Sequence, residues 1–477
     1  MPFYRDLRNR ALFTEDERDW VSRRLLDLRA QLSTAPPLGV PNRTLRSSLI
    51  IGTWNLRDFD NNKYRHGPRR RESLFYIAEV ISSFDVCAVQ EINEDLGPLK
   101  AVMRILGPHW NYIATDVTVG ASGNRERMAF VFDTRKVTFR NVAGEIVLPK
   151  HALLPDEKQF ARTPFMVSFQ AGWFKFSLCT VHIYFGSHSR GSDGYKRRVA
   201  EIESIAKEMA KRADREDENY ILLGDFNIKN TVDETMRALT KAGFMLPPEL
   251  FPSNLLGTKY YDQIAFRTRR DCVSFLNAGV FNFNKSVFKP EHYEHYAPVL
   301  PERHRDLKRN GEPVDKSKDK EYFARRWLTW QMSDHLPLWV ELAIDFSDEH
   351  LLHNLSDAAM KRGEFAQNEN EEQLYSWELP EPPRHKPKTG GAHSGKDEKA
   401  EEETKRKTSR SSKRKPRKRK QPRVRQKEKA GVARPPHRMT IAEAWKLFWY
   451  VASGEADKVR TLRKENAKKS KPKRRKR

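Results

Sequence analysis

Residues 48–345 predict an α/β fold. Short β-branched or apolar runs recur along this stretch, helix-like segments lie between them, and no internal repeat underlies the alternation.

The elements follow in order. Thr14 and Glu17 have capping-box spacing, and Val21, Leu25, Leu28 and Leu32 recur at helical intervals, which predicts a helix over 14–32. Pro36 and Pro37 end it, because proline cannot continue the hydrogen-bond ladder. Strand-like runs occupy 49–54, 86–89, 128–132, 176–181, 220–223, 263–266 and 338–342, with helical candidates at 71–82 and 194–211. Residues 290–320 are polar and rich in His, Pro and Lys, and read as an extended loop. Residues 386–436 hold too few large apolar side chains to form a core and are expected to be disordered. Beyond them, Thr440 and Glu443 repeat the capping-box spacing ahead of an aromatic run, predicting a short helix over 440–451 that awaits a protein partner. The expected division is a helical extension (1–47), a catalytic body (48–346), its C-terminal extension (347–383), a basic linker (384–438) and a helical, basic terminus (439–477).

The 477 residues are 38 % apolar, enough for one large domain or two. No uncharged run approaches the roughly 18 residues of a membrane span, and residues 1–19 are studded with charge, so an intracellular protein without a signal peptide is expected, cytoplasmic or associated with nucleoid or nucleus. Cys87, Cys179 and Cys272 lie far apart and read as buried thiols, neither a disulfide framework nor a zinc site. The formal charge is +25, and it is unevenly placed. Residues 384–477 carry 35 Lys plus Arg against 10 Asp plus Glu; subtraction from totals of 89 and 64 leaves 54 of each in residues 1–383. A charge-balanced body therefore bears a cationic tail. Its densest run includes Lys413, Arg414 and Lys415, a polyelectrolyte suited to a polyanion through counterion release.

Several strand-like runs end in polar residues. Asn55 follows the first, Glu91 the second, His182 the fourth, and Asp225 and Asn227 the fifth; Asp262 precedes the next, and Asp334 and His335 precede the last. Side chains at strand ends converge on one rim of a sheet, and oxygen donors of this kind suit Mg²⁺, which keeps waters and phosphate oxygens as its other ligands. Singly each has an ordinary alternative: Gly224-Asp225-Phe226-Asn227 as a turn, His182 as a core histidine, Glu91 as the first solvated residue after a strand. The ordered set shifts the balance. His292 and His295 lack a companion ligand and read as exposed loop histidines. Neither a GxxxxGK[ST] loop nor an HExxH helix is present, which removes nucleotide-driven motors and zincin proteases.

Taken together, Thr53-Trp54-Asn55-Leu56-Arg57, Val89-Gln90-Glu91-Ile92, Glu126-Arg127, Phe160-Ala161-Arg162-Thr163-Pro164, His182, Gly224-Asp225-Phe226-Asn227, Tyr261-Asp262-Gln263-Ile264 and Ser333-Asp334-His335-Leu336-Pro337 resemble the endonuclease/exonuclease/phosphatase superfamily. Within it the chain is most similar to the pancreatic-type deoxyribonucleases. The resemblance implies a four-layer α/β sandwich of two packed mixed β-sheets flanked by helices, and a metal-dependent endonuclease hydrolysing phosphodiesters in DNA, with RNA second. It implies Mg²⁺, with Mn²⁺ or Ca²⁺ as alternatives, held by Glu91, Asn55 and Asp334. It also implies carboxylate–imidazole pairs Asp262–His335 and Glu126–His182, with Asp225 and Asn227 positioning water and phosphate and with Arg162 contacting phosphate. Arg57 of the opening motif and Arg125, which lies outside the family pattern, are further candidate nucleic-acid contacts. The deoxyribonuclease pattern carries an arginine and a tyrosine that reach into the minor groove where this chain has Asn93 and Asn124. The basic cluster Arg65, Arg69, Arg70 and Arg71 offers other backbone contacts or forms a solvated helix start. The competing functions are a phosphatase or lipid-headgroup phosphodiesterase on the same scaffold, against which Asp262-Gln263-Ile264 stands where the inositol phosphatases carry Asp-Arg-Ile, and a nucleic-acid-binding protein with a vestigial site, against which the complete residue set argues.

Overall fold

The apolar runs are buried on both faces, and their successive side chains alternate between two cores with the period of two that a strand imposes. In β1 (Ser48–Phe59), Leu49 and Ile51 point into one apolar core while Ile50 and Trp54 point into another. The computed structural model describes residues 2–351 except 61–64, 119–124, 155–157, 188, 217, 269–272, 302–315 and 349–350. The linker, Lys413–Lys415, the 440–451 segment, Asn124 and Cys272 therefore lie outside the described residues.

The remaining strands are β2 (Val86–Ile92), β3 (Trp110–Ala114), β4 (Arg127–Asp133), β5 (Thr138–Glu145), β6 (Phe165–Ala171), β7 (Phe174–His182), β8 (Asn219–Asp225), β9 (Asp262–Arg267), β10 (Ser274–Val280) and β11 (Leu338–Ala343). They form two mixed sheets, ordered β10-β11-β1-β2-β4-β3 and β5-β6-β7-β8-β9. Leu49, Ile51, Val86 and Phe130 of the first sheet pack against Val167, Phe169, Phe176 and Ile221 of the second. Helices α1 (Glu15–Leu32), α2 (Arg71–Ile81) and α3 (Gly97–Leu106) cover the outer face of the first sheet; α4 (Asp193–Glu216) and α5 (Glu234–Thr240) cover the second. The result is a four-layer α/β sandwich. No described helix is long and apolar enough to cross a membrane.

The capping box at Thr14 forms in both directions, and Val21, Leu25, Leu28 and Leu32 are all buried. Residues 290–299, expected as extended loop, form short helical turns instead, including α6 (Tyr293–Tyr296). Apolar surface drives this: Tyr296 is buried among Phe288, Phe323 and Trp327. His292 is buried, contrary to the exposed-loop expectation, and its Nε2 lies 3.0 Å from Arg24 Nη1; His295 stacks on Trp20 at 3.7 Å. A second helical stretch, α7 (Lys316–Tyr322) continued by a π turn (Phe323–Trp327) and α8 (Leu328–Gln331), leads into Asp334 and His335. Arg69 is neither solvated nor available to a ligand. It is buried and donates to the carbonyl oxygens of Met332, Leu56 and Arg57. Cys87 and Cys179 are free, buried thiols.

Candidate active site

Strand register assembles the site. In the second sheet, His182 on β7 pairs with Asp225 on β8, and Asp225 pairs with Asp262 on β9, so three chemistry-bearing residues stand abreast. Gly224 makes this possible: it adopts φ +133°, and a Cβ there would lie 2.2 Å from the Val181 carbonyl oxygen. In the first sheet, Asn55 pairs with Gln90, and regular pairing breaks on both sides of Glu91, between Asn55 and Phe59 and between Val89 and Ile92. Glu91 itself has φ +59°, an uncommon conformation for a residue with a side chain. Beneath the site, the buried Gln90 amide donates to Thr53 Oγ1 at 3.0 Å and to Thr180 Oγ1 at 2.9 Å, joining the two sheets.

The two imidazoles face one carboxylate. Asp225 Oδ2 lies 3.6 Å from His182 Nε2 and 3.8 Å from His335 Nε2. Each histidine's other ring nitrogen meets its own carboxylate: His335 Nδ1 is 2.8 Å from Asp262 Oδ2, and His182 Nδ1 is 2.9 Å from Glu126 Oε2. Arg162 completes the second pair, its Nε donating to Glu126 Oε2 at 2.7 Å and its Nη2 to Oε1 at 3.3 Å. Burial disfavours charge on His335, but Asp262 and Asp225 outweigh it and raise its pKa well above the ordinary imidazole value. For His182, burial and Arg162 oppose protonation, and Glu126 and Asp225 overcome them. Burial also pushes Glu126 upward, yet His182 and Arg162 hold it well below the usual carboxylate range.

Asn55 straps the two sheets together. Its Nδ2 donates to Glu91 Oε1 at 2.7 Å and to Asp225 Oδ2 at 3.0 Å, while its Oδ1 accepts from the Arg57 N–H at 2.8 Å. Among the described residues, three clusters of carboxylate and imidazole groups gather with ligand atoms within 4.8 Å of one another: Glu91, His182 and Asp225; Asp225, Asp262 and His335; and Asp58, Glu91 and Glu126. The third of these offers carboxylate oxygens alone, the hard donors that a divalent ion such as Mg²⁺ takes, so the donor set around Glu91 fits such an ion.

The chain is similar to endonuclease/exonuclease/phosphatase proteins. A family member from Bacteroides thetaiotaomicron is 18 % identical, the match covering 63 % of this chain and 99 % of that one at a TM-score of 0.41. A mannosyl-6-phosphatase from the same organism is 17 % identical over 62 % and 99 % of the two chains, TM-score 0.38. The human Nocturnin catalytic domain with bound sulfate is 12 % identical over 66 % and 100 %, TM-score 0.40. No protein-family model and no curated protein matches the chain. The chemistry of this chain is therefore argued from its own residues.

The remaining expected residues are placed as follows. Asn227 turns away from the imidazoles: its Nδ2 donates to the Ile183 carbonyl at 2.8 Å and its backbone N–H to Asp225 Oδ1 at 2.8 Å, fixing the Asp225 carboxylate. Asp334 belongs to none of the three groups; its side chain is half exposed and its Oδ2 lies 3.7 Å from Arg57 Nε. Arg57 also donates to Thr329 Oγ1. Arg125 is exposed and pairs with Glu94 at 2.5 Å.

Sequence reasoning missed Asp58, whose backbone N–H donates to Glu91 Oε2 at 2.8 Å and whose carboxylate belongs to the third group. Its φ of +47° carries no glycine to announce it. Ser333 precedes the Asp334-His335 pair in sequence, and its hydroxyl donates to the Asn55 carbonyl at 2.6 Å and accepts from the His335 N–H at 2.9 Å. The Tyr261 ring lies 5.4 Å from that of His335, and its place directly before Asp262 was the available signal.

Proposed function

We propose that this protein is a divalent-metal-dependent phosphoesterase acting on phosphodiesters of nucleic acid, DNA before RNA. One observation carries the reading: two imidazoles, each backed by its own carboxylate, face the single Asp225 carboxylate at 3.6 and 3.8 Å.

Hydrolysis of a phosphodiester requires a hydroxide to approach an anion and an alkoxide to leave. A carboxylate behind an imidazole fixes its tautomer and supports the protonated form, as general acid–base work demands. Asp262–His335 is assigned to the attacking water and Glu126–His182 to the leaving oxygen. Against burial, the Asp262 and Asp225 carboxylates favour the protonated His335 ring, so it takes the water's proton only when in its neutral form, which a cation among those carboxylates would favour. Asp225, oriented by Asn227 and Asn55, positions the water between them. Arg162 contributes positive charge on the Glu126 side. Glu91, with Asp58 beside it, would hold Mg²⁺, or Mn²⁺ or Ca²⁺ in its place; Asp334 would join only by turning away from Arg57. The metal would supply charge neutralisation at the phosphate.

The test incubates supercoiled plasmid with the protein, with Mg²⁺ or with EDTA, beside Asp225→Ala. Nicking that needs Mg²⁺ and is lost in the variant is expected. Retardation without nicking would favour a binding protein instead, and phosphate release from a headgroup substrate alone would favour a phosphatase.

A further inference from the structure

Helix α4 covers the second sheet, but one of its polar residues does not face water. Glu201 has no solvent exposure, and its two carboxylate oxygens serve two different segments of the site. Oε1 accepts from the Ala161 N–H at 3.0 Å, and Oε2 accepts from the Tyr184 N–H at 3.0 Å. Ala161 immediately precedes Arg162, and Tyr184 lies two residues past His182. One helical turn before Glu201, Arg197 donates its Nε to Oε1 at 3.1 Å and lays its guanidinium 4.4 Å from the Tyr184 ring centroid. Its neighbour Arg198, also buried, donates to the carbonyl oxygens of Asn227 at 2.9 Å and Ser187 at 2.7 Å.

We propose that Glu201 is a positioning residue that holds the Arg162 and His182 segments in fixed relation, so that both side chains meet Glu126. The proposal rests on the phosphoesterase reading. A buried carboxylate carries a large desolvation penalty, and an apolar side chain would serve packing alone at lower cost. What the carboxylate adds is two acceptor oxygens on one rigid group, each making a charge-assisted bond to a separate segment of the site. Glutamine has the same shape but one acceptor oxygen, and it would turn an N–H toward one of the two backbone donors. Glu201→Gln therefore releases one segment while nearly conserving volume.

The experiment is a double-mutant cycle of Glu201→Gln and Arg162→Ala, read as kcat and KM on bis(p-nitrophenyl) phosphate with Mg²⁺. Hydrogen–deuterium exchange of segments 158–164 and 182–187 is measured alongside. Glu201→Gln is expected to lower kcat roughly 10- to 100-fold, as misplacement by about 1 Å does, with KM within about twofold of wild type. In the Arg162→Ala background the same change is expected to cost less than about threefold, because contacting groups are not additive. Exchange should quicken in both segments. An equal loss in both backgrounds, a loss in KM alone, or unchanged exchange would overturn the proposal. Should Glu201→Gln fail to fold, Arg197→Met, which keeps the carboxylate and removes the cation that lies beside it and over the Tyr184 ring, is read in the same cycle and is expected to give a smaller loss with the same non-additivity; full activity there would overturn it. If the wild-type protein hydrolyses no phosphoester, the functional reading fails, and the exchange measurement still decides whether Glu201 secures both segments.

Discussion

Asp225 is the residue on which the two sheets' polar groups converge, and its placement depends on a side chain that is missing. Gly224 holds φ +133° against the Val181 carbonyl, so Gly224→Ala combines backbone strain with a steric clash. We expect a loss of at least about 2 kcal/mol in folding stability, read as a lowered midpoint in urea denaturation. At the imidazoles, His182→Ala or His335→Ala should lower turnover about 10²–10⁴-fold, the usual weight of a general acid or base. Wild-type rates in both, with circular dichroism unchanged, would refute the assignment. Asn55, Glu91, His182, Asp225, Asp262 and His335 were legible because each stands at the end of a strand-like run. Asp58 and Glu201 were not. The first depends on a positive φ without glycine, and the second occupies a polar position on an amphipathic helix, where solvent is the ordinary expectation.

Elements were legible where pattern and burial agree. The α1 capping box and apolar stripe predicted that helix within one residue at its start, and the central strands β1, β2, β7 and β8 stood out as apolar runs. Strands β3, β5 and β10 did not, because they lie at sheet edges and most of their residues are half buried or exposed, which dilutes the alternation; β6 was missed too, although it is an interior and buried strand. Residues 290–299 hid their helical turns behind a polar composition whose few aromatic side chains do the packing. Here a titration is built into the docking of α1. Burial, then Arg24 and Lys289, depress the His292 pKa from 6.5 to about 4. Arg24 Nη1 and the Lys289 N–H both face ring nitrogens, so a protonated ring would confront donors on both sides. A group whose folded pKa is lowered contributes stability above its unfolded value, and that contribution drains away as pH falls toward the folded one. The melting temperature should therefore decline between about pH 6.5 and 4, and His292→Gln should flatten that decline. An identical pH profile in the variant would contradict this.

At the scale of the whole molecule, the sequence made the α/β class legible, while the two-sheet arrangement followed only from the ordered motifs. Local periodicity cannot say which strand pairs with which; the pairing of Asp225 with both His182 and Asp262 is long-range. The charge-balanced body and the cationic tail also remain separate in the reading proposed here, with the tail retaining nucleic acid without selecting sequence. Deleting residues 384–477 should flatten the salt dependence of DNA binding, measured as the slope of log affinity against log salt, and leave turnover on short substrates largely unchanged. An unchanged slope would remove the tail from binding. The most direct measurement of the site is phosphodiester hydrolysis followed across a Mg²⁺ titration for the wild-type protein and Asp225→Asn, both shown to be folded. A saturable, Mg²⁺-dependent rate in the wild type and a rate at least about 100-fold lower in the variant at every Mg²⁺ concentration are predicted. Equal rates in the two proteins would contradict the convergence of both imidazoles on Asp225 as the seat of the chemistry.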